Sequence, residues 1–231
     1  ALDQGTSSSR AALFNPAGEL IASASAPLEI KYPKDGWVEQ DPSAIWISQR
    51  DAMQKLEKKL SSEQINAVAS CGITNQRETT ILWRRSTGKA CGPALVWQDG
   101  RTTELCSQWK LEGLEKDWKY RTGLLLDPYF SASKIQWLLT NEQEASQAKR
   151  ENDLCFGTVE SWLLWNLTEG KHHCSDMSNA SRTLLMDLEK QAWVDTFCEI
   201  IDLPKNALPG LVPCRGSFGV ISKKLPFGGV P

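Results

Sequence analysis

The sequence predicts an α/β fold with a mixed sheet flanked by helices, and three stretches carry that prediction. Between Asp3 and Glu29 the chain reads as strand, turn, strand, turn, strand, an antiparallel meander. Asp41-Pro42 then supplies a helix N-cap followed by proline at the first helical position. The apolar run from Ile65 to Ile73, bounded by polar segments, suits a buried parallel strand that returns after this helix. A meander, a helix and a parallel strand in that order make an α/β arrangement.

Each element has its own local reason. The first turn of the meander is Gly5-Thr6-Ser7-Ser8 and the second is Asn15-Pro16-Ala17-Gly18, both made of residues that favour turns. The helix from Asp41 is expected to reach about Leu60, because Ile45, Met53, Leu56 and Leu60 fall near helical spacing. Thr79–Trp83 and Ala94–Trp97 read as short strands. Helices are expected over Thr103–Leu111, Leu114–Thr122, Ser131–Thr140, Glu142–Lys149, Val159–Leu167 and Trp193–Ile201. Leu203-Pro204 and Leu208-Pro209 mark loops, and the chain carries no repeat or heptad pattern.

Composition narrows the class. The 231 residues, 41% hydrophobic and 23% charged, are those of a globular protein with room for one large domain or two small ones. A net charge of −2 gives no basic footprint, which argues against a nucleic-acid partner. No apolar run approaches the roughly 20 residues of a membrane span. No charged-then-apolar leader opens the chain, so a cytoplasmic location is expected. The seven cysteines show neither a C-x-x-C pair nor a regular spacing, and read as reduced, mostly buried thiols. His172-His173 beside Cys174 is the one candidate metal cluster, and the pair reads as surface histidines. Of ten tryptophans, Trp46, Trp137, Trp162, Trp165 and Trp193 lie in helix-like patterns and are expected in the core, whereas Trp97 sits where a ligand could reach it.

Two segments carry chemistry. In Gly72-Ile73-Thr74-Asn75-Gln76-Arg77-Glu78-Thr79-Thr80 an arginine and a glutamate are adjacent just after an apolar run. Neighbouring side chains of a regular strand point to opposite faces, so the pair can serve one site only where the strand has ended and the chain turns. A guanidinium donates in a fixed fork and a carboxylate only accepts, a combination that suits a small ligand with several hydroxyls. A surface ion pair at a strand end is the plainer reading. The second segment is Asp3-Gln4-Gly5-Thr6-Ser7-Ser8-Ser9-Arg10. Its glycine lets the backbone approach a ligand, and successive N–H groups in such a turn make an anion-binding concavity. An acid beside that loop is what Mg²⁺ needs, since this ion takes one or two carboxylates and keeps several waters beside substrate phosphates. A Gly/Ser hairpin without any ligand would share this composition.

Taken together, the two segments resemble the glycerol kinases of the FGGY carbohydrate kinase family. The specific match is Asn75-Gln76-Arg77-Glu78-Thr79-Thr80. Further resemblances follow at Pro33-Lys34-Asp35-Gly36-Trp37-Val38-Glu39-Gln40-Asp41-Pro42, Val96-Trp97-Gln98, Thr122-Gly123-Leu124, Asp127-Pro128-Tyr129-Phe130-Ser131, Phe156-Gly157-Thr158-Val159 and Asn179-Ala180-Ser181-Arg182-Thr183. The resemblance runs from Ala1 to about Ile221. Sibling kinases for xylulose and gluconate share the opening loop but look different at Arg77-Glu78.

The resemblance implies a ribonuclease H-like domain of the actin and hexokinase superfamily, in which two such domains face each other across a cleft. It implies ATP and Mg²⁺ as cofactors, glycerol as the substrate, and a homo-oligomer at full length. Asp3 would be the metal-linked carboxylate. Gly5, Thr6, Ser7 and Ser8 would meet the ATP phosphates, with Ser7 where the family usually has a second threonine. Arg10 would add positive charge there, or else be a strand-edge charge. Arg77 and Glu78 would hold the substrate hydroxyls, and Trp97 and Tyr129 would form the wall against its carbons. In Asp99-Gly100-Arg101, Gly100 replaces a larger residue of the bacterial enzymes. The family's base is an Asp in a Gly-Asp-Gln segment, which is absent from residues 1–231, so no catalytic base is assigned within the chain. Residues 1–231 are therefore expected to be a substrate-binding first domain, cut near an interdomain hinge, lacking a few leading residues and catalytically incomplete without the nucleotide domain. The alternatives are a sibling kinase for another polyol or sugar, and a non-catalytic actin-like binding domain.

Overall fold

The computed structural model describes residues 1–231. The meander forms as β1 (Leu2–Gln4), β2 (Ser8–Phe14) and β3 (Leu20–Pro27), paired antiparallel in sequence order. Alternation assigns the faces of β2: Ser9 and Ala11 are buried, while Ser8 and Arg10 are exposed. In the second turn the Asn15 Oδ1 accepts from the amides of Ala17 and Glu19 at 3.0 and 2.9 Å, and Gly18, with φ 82°, takes the left-handed position.

Helix α1 (Pro42–Glu57) starts as expected, with the Asp41 carboxylate accepting from Ser43 N at 2.8 Å. Its buried face includes Ile45, Ala52, Met53 and Leu56. Three of these, Ala52, Met53 and Leu56, pack on Leu2, Ala11, Ala24 and Ala26 of the meander. The alanines let the helix approach the sheet closely, and full burial of a side chain such as Met53 or Leu56 contributes about 1.5–3 kcal/mol.

The strand after α1 differs from expectation. The run Ile65–Ile73 is not a buried strand; Ser62–Asn66 is a short helix and the strand is Ile73–Asn75. The reason is a capping box: the Ser61 hydroxyl accepts from Gln64 N while the Gln64 side chain accepts from Ser61 N. Ile65, Val68 and Ile73 instead pack from the side against the α1 cluster. The strand pairs parallel with β1 in the register Leu2↔Ile73, Asp3↔Thr74 and Gln4↔Asn75. It stands at one edge of the four-stranded sheet, whose order from the other edge is β3, β2, β1.

A second layer follows. Ile81–Arg84 pairs antiparallel with Leu154–Gly157. The latter strand has no alternation to betray it, because all four of its residues are buried. Helices Thr103–Leu111 and Val159–Leu167 have the bounds expected of them. Glu115–Thr122, Ser131–Asn141, Gln143–Arg150 and Asp195–Ile200 differ by a residue or two at their ends. Trp162 and Trp165 are buried as expected, but Trp46, Trp137 and Trp193 are half-buried. The most deeply buried tryptophans are Trp83 and Trp118, and Trp118 stacks on Phe197 with ring centroids 4.0 Å apart.

The histidine pair is split rather than superficial. His172 is exposed, but His173 is half-buried against Trp83 and Trp165 and donates to the Phe156 carbonyl at 2.8 Å. Burial lowers its pKa to about 4, so it packs as the neutral ring.

Asp99-Gly100-Arg101 anchors a loop. The buried Arg101 guanidinium forks onto Asp99 at 2.8–3.0 Å, reaches Glu39 at 2.7 Å, and lies 3.7 Å from the Trp37 ring centroid. Gly100 does not have a positive φ, and an added Cβ would come no closer than 3.6 Å to a neighbour, the Gly36 carbonyl. Gly157 is the opposite case: its Cβ would lie 2.6 Å from Ser161 Cβ and 2.8 Å from the Trp83 ring. Gly100→Ala is therefore expected to be neutral or to stabilise by up to about 1 kcal/mol through the unfolded chain. Gly157→Ala is expected to destabilise by about 1–3 kcal/mol through overpacking. Urea melts of both variants check this, and equal midpoints would contradict the packing described.

Candidate functional site

Parallel strands present their carboxyl ends at the same edge of a sheet. The pairing of β1 with Ile73–Asn75 thus sets the Gly5–Ser7 loop beside the Gln76–Thr79 turn. Three buried glutamines fix the two together. Gln40 Nε2 donates to the Thr6 carbonyl at 2.6 Å, and its Oε1 accepts from Gln76 Nε2 at 2.7 Å. Gln76 N donates to the Gln4 carbonyl at 2.7 Å. Gln4 in turn accepts from the Ser9 hydroxyl at 2.8 Å.

The first loop is tight and leaves donors free. Gly5 N donates to the Ser8 carbonyl at 2.9 Å, and a Cβ on Gly5 would stand 3.1 Å from that oxygen. The amides of Thr6 and Ser7 donate to nothing within the chain, so two successive N–H groups remain available to an anion. Asp3 lies opposite Arg10 in the ladder, and both are exposed with no ion pair between them. Arg10 is not at a strand edge, because β2 is flanked by β1 and β3. The Asp3 carboxylate accepts no hydrogen bond in the chain, and no group of three or more His, Cys, Asp or Glu gathers anywhere. A lone free carboxylate beside open amides fits a Mg²⁺ held chiefly by water and phosphate oxygens.

The second motif turns once its strand has ended. The strand ends at Asn75, and Glu78 adopts φ 63°, a conformation uncommon for a residue with a side chain. The Glu78 carbonyl is fixed by the hydroxyls of Thr80 and Ser131, each at 3.1 Å. Ser131 opens the helix Ser131–Asn141, directly after Tyr129-Phe130. The Tyr129 amide donates to Asp127 Oδ1 at 2.8 Å, which fixes the backbone ahead of this helix. Tyr129 meets Trp97 edge-on with centroids 5.6 Å apart, and Trp97 Nε1 donates to the Thr6 hydroxyl at 3.2 Å. Thr6, Trp97 and Tyr129 therefore form one chain of contacts.

Glu78 and Arg77 part company. The Glu78 side chain is only 3% exposed and accepts from Arg182 Nε at 2.6 Å. Arg77 is exposed, its side chain makes no hydrogen bond or ion pair within the chain, and it lines a groove of about 710 Å³ along the open edge of the Ile73–Asn75 strand. Glu78, Trp97 and Tyr129 do not line that groove. Arg182 is the residue that sequence reasoning left without a role; its one signal was its place in Asn179-Ala180-Ser181-Arg182-Thr183.

Across the groove stand Glu160 and Asn179. Burial raises the Glu160 carboxyl to about 7, against donors that favour its charge, among them Asp176 N at 2.8 Å and the Thr158 hydroxyl at 2.9 Å. Asn179 Oδ1 is buried without a partner.

Residues 1–228 match the N-terminal domain of the FGGY family of carbohydrate kinases. A glycerol kinase of Paraburkholderia phytofirmans is 43% identical over 235 residues, covering 100% of this chain and 47% of that protein. The crystal structure of Plasmodium falciparum glycerol kinase with ADP superposes with a TM-score of 0.92 at 33% identity, over 100% of this chain and 46% of that one. A xylulose kinase from Rhodospirillum rubrum, at 21% identity and TM-score 0.88, covers 100% of this chain and 46% of that one and shares the fold. The chain spans about half the length of the curated relatives it matches. No helix is long and apolar enough to cross a membrane.

The raised Glu160 carboxyl has a definite consequence for stability. The native state keeps a proton that the unfolded chain releases from 4.5 upward, so the unfolded state binds fewer protons between 4.5 and about 7 and stability falls across that window. Glu160→Gln does not titrate. The unfolding free energy of wild type relative to Glu160→Gln is expected to drop by about 2–3 kcal/mol between about pH 5 and about pH 8. Urea melts of both proteins at the two pH values check this; a pH-independent difference would show that Glu160 is already ionised in the fold.

Proposed function

The chain belongs to the FGGY family of carbohydrate kinases, and from that premise we propose that it is the substrate-binding half of an ATP-dependent glycerol kinase. The fold is then the ribonuclease H-like one of the actin and hexokinase superfamily. The observation that carries the reading is the join between a loop with two free amides and a pocket with one buried carboxylate. Thr6 is the join: its neighbourhood can receive phosphate, and its hydroxyl holds Trp97 over the polyol pocket. The similarity to glycerol kinases over the whole chain supports the substrate class.

The reaction is the attack of a primary glycerol hydroxyl on the γ-phosphorus of ATP, giving sn-glycerol 3-phosphate, ADP and a proton. Little covalent chemistry is asked of the protein; positioning and electrostatics supply most of the rate. Glu78 accepts from substrate hydroxyls. Trp97 and Tyr129 wall the carbon chain, and the Tyr129 hydroxyl, with no partner in the chain, is free to bond substrate. Arg77, which lines the neighbouring groove, would have to turn toward the pocket to offer its fork of donors to the substrate. Gly5, Thr6, Ser7 and Ser8 line the phosphates, and Arg10 adds positive charge on the same sheet face as Asp3. Mg²⁺, held at Asp3 through water, would offset charge on the phosphate oxygens. The base for the attacking hydroxyl comes from elsewhere in the protein, since the one carboxylate of the pocket is tied to Arg182. A second domain holds the adenosine part of ATP. The enzyme works in the cytoplasm, where its seven free thiols stay reduced.

Two substitutions in the full-length enzyme test this division of labour. Glu78→Gln removes a charged acceptor and is expected to lower kcat/KM for glycerol by the equivalent of about 1.5–3 kcal/mol. An unchanged value would place glycerol elsewhere. Asp3→Asn is expected to leave glycerol affinity, measured by calorimetry without nucleotide, near normal while kcat with saturating Mg-ATP falls steeply. Collapse of glycerol affinity with kcat preserved would mean that the first loop belongs to the polyol pocket.

A further inference from the structure

Glu78 is held in a state that it would not adopt alone. Its backbone is left-handed at φ 63°, a conformation that is strained for a residue with a side chain. Its carboxylate is 3% exposed, and a buried carboxylate is unstable unless paired. Arg182, 104 residues further along the chain, is the one side chain that donates to it.

The manner of the contact is specific. The bond runs from Nε, not from the terminal nitrogens, and it goes to Oε1 at 2.6 Å. Oε2 accepts nothing from the chain, nor is it among the buried polar atoms left without a partner, so it remains open to a ligand. The Arg182 guanidinium carbon also lies 4.9 Å from the Phe130 ring centroid and 5.9 Å from that of Tyr129. One cation therefore touches both parts of the pocket, its acceptor and its aromatic wall. A lysine could keep the charge but neither the flat, forked guanidinium nor its Nε donor.

We propose that Arg182 is the positioning residue of the polyol pocket: by occupying Glu78 Oε1 and backing Tyr129-Phe130, it presents Oε2 alone to the substrate hydroxyls. The proposal rests on the kinase reading above and adds the residue that sets the direction of the acceptor. Arg182 need not touch substrate. Its effect passes through Glu78, so the two residues must act as one unit rather than independently.

The test is a double-mutant cycle in the full-length enzyme with Arg182→Lys, Glu78→Gln and the double variant. KM and kcat are measured for glycerol, KM for ATP, and melting temperature is recorded for each. Arg182→Lys is expected to raise the KM for glycerol at least tenfold, with a smaller loss of kcat and an ATP KM within twofold of wild type. In the Glu78→Gln background the same change is expected to add less than threefold. If Arg182→Lys melts too low to assay, Arg182→Gln takes its place in the cycle with the same expectations. A glycerol KM within twofold of wild type, or effects of the two single variants that multiply in the double variant, would overturn the role of Arg182. If Glu78→Gln impairs glycerol use while the Arg182 variants do not, the kinase reading stands and this inference falls. A wild-type enzyme that does not phosphorylate glycerol overturns both.

Discussion

The parallel pairing of β1 with Ile73–Asn75 is the constraint from which the rest follows. The pairing spans three residues, but its register decides where two loops distant in sequence meet. A parallel pair cannot be closed by a hairpin and demands a crossover, and α1 is the longest helix within it. The crossover then has to be buried, which sets the run of alanines on the meander beneath α1. At the carboxyl ends of the two strands the first turn and the Gln76–Thr79 turn become neighbours. Had the pair been antiparallel, Asp3 and Arg77 would lie at opposite edges of the sheet.

Around that junction polar links, rather than apolar packing, set the positions. Gln40 and Gln76 carry the first loop and the second turn as a unit, and Arg101 ties Glu39 to Asp99 beneath them. Each neutral bond contributes about 0.5–1.5 kcal/mol net, which is small beside the core. The cost of leaving one partner unmatched in the interior is larger, about 1–3 kcal/mol per group. Such a network selects one arrangement by penalising the others. The apolar clusters stabilise the domain; the glutamines and Arg101 decide which of its near-alternatives is occupied.

Much of this was legible in the sequence, for identifiable reasons. The meander announced itself through turn residues, and α1 through Asp41-Pro42, because both signals are local. The Ile65–Ile73 run misled because apolar residues that pack sideways on a helix look like those inside a sheet, and the Ser61–Gln64 box outweighed them. Leu154–Gly157 was invisible because a strand buried throughout has no period. At the site, the adjacency of Arg77 and Glu78 suggested a shared task, but one left-handed residue turns them to different surroundings. Arg182 was hidden for another reason. Its partner lies 104 residues away, and no spacing rule reaches that far.

The left-handed Glu78 also bears on how this domain can change over time. At that position glycine or asparagine would relieve the backbone and remove a buried charge, so either would be favoured wherever folding alone is under selection. The same exchange would leave the Arg182 cation against Phe130 without its carboxylate. The two positions are therefore tied, and a change at one alters the cost of every change at the other.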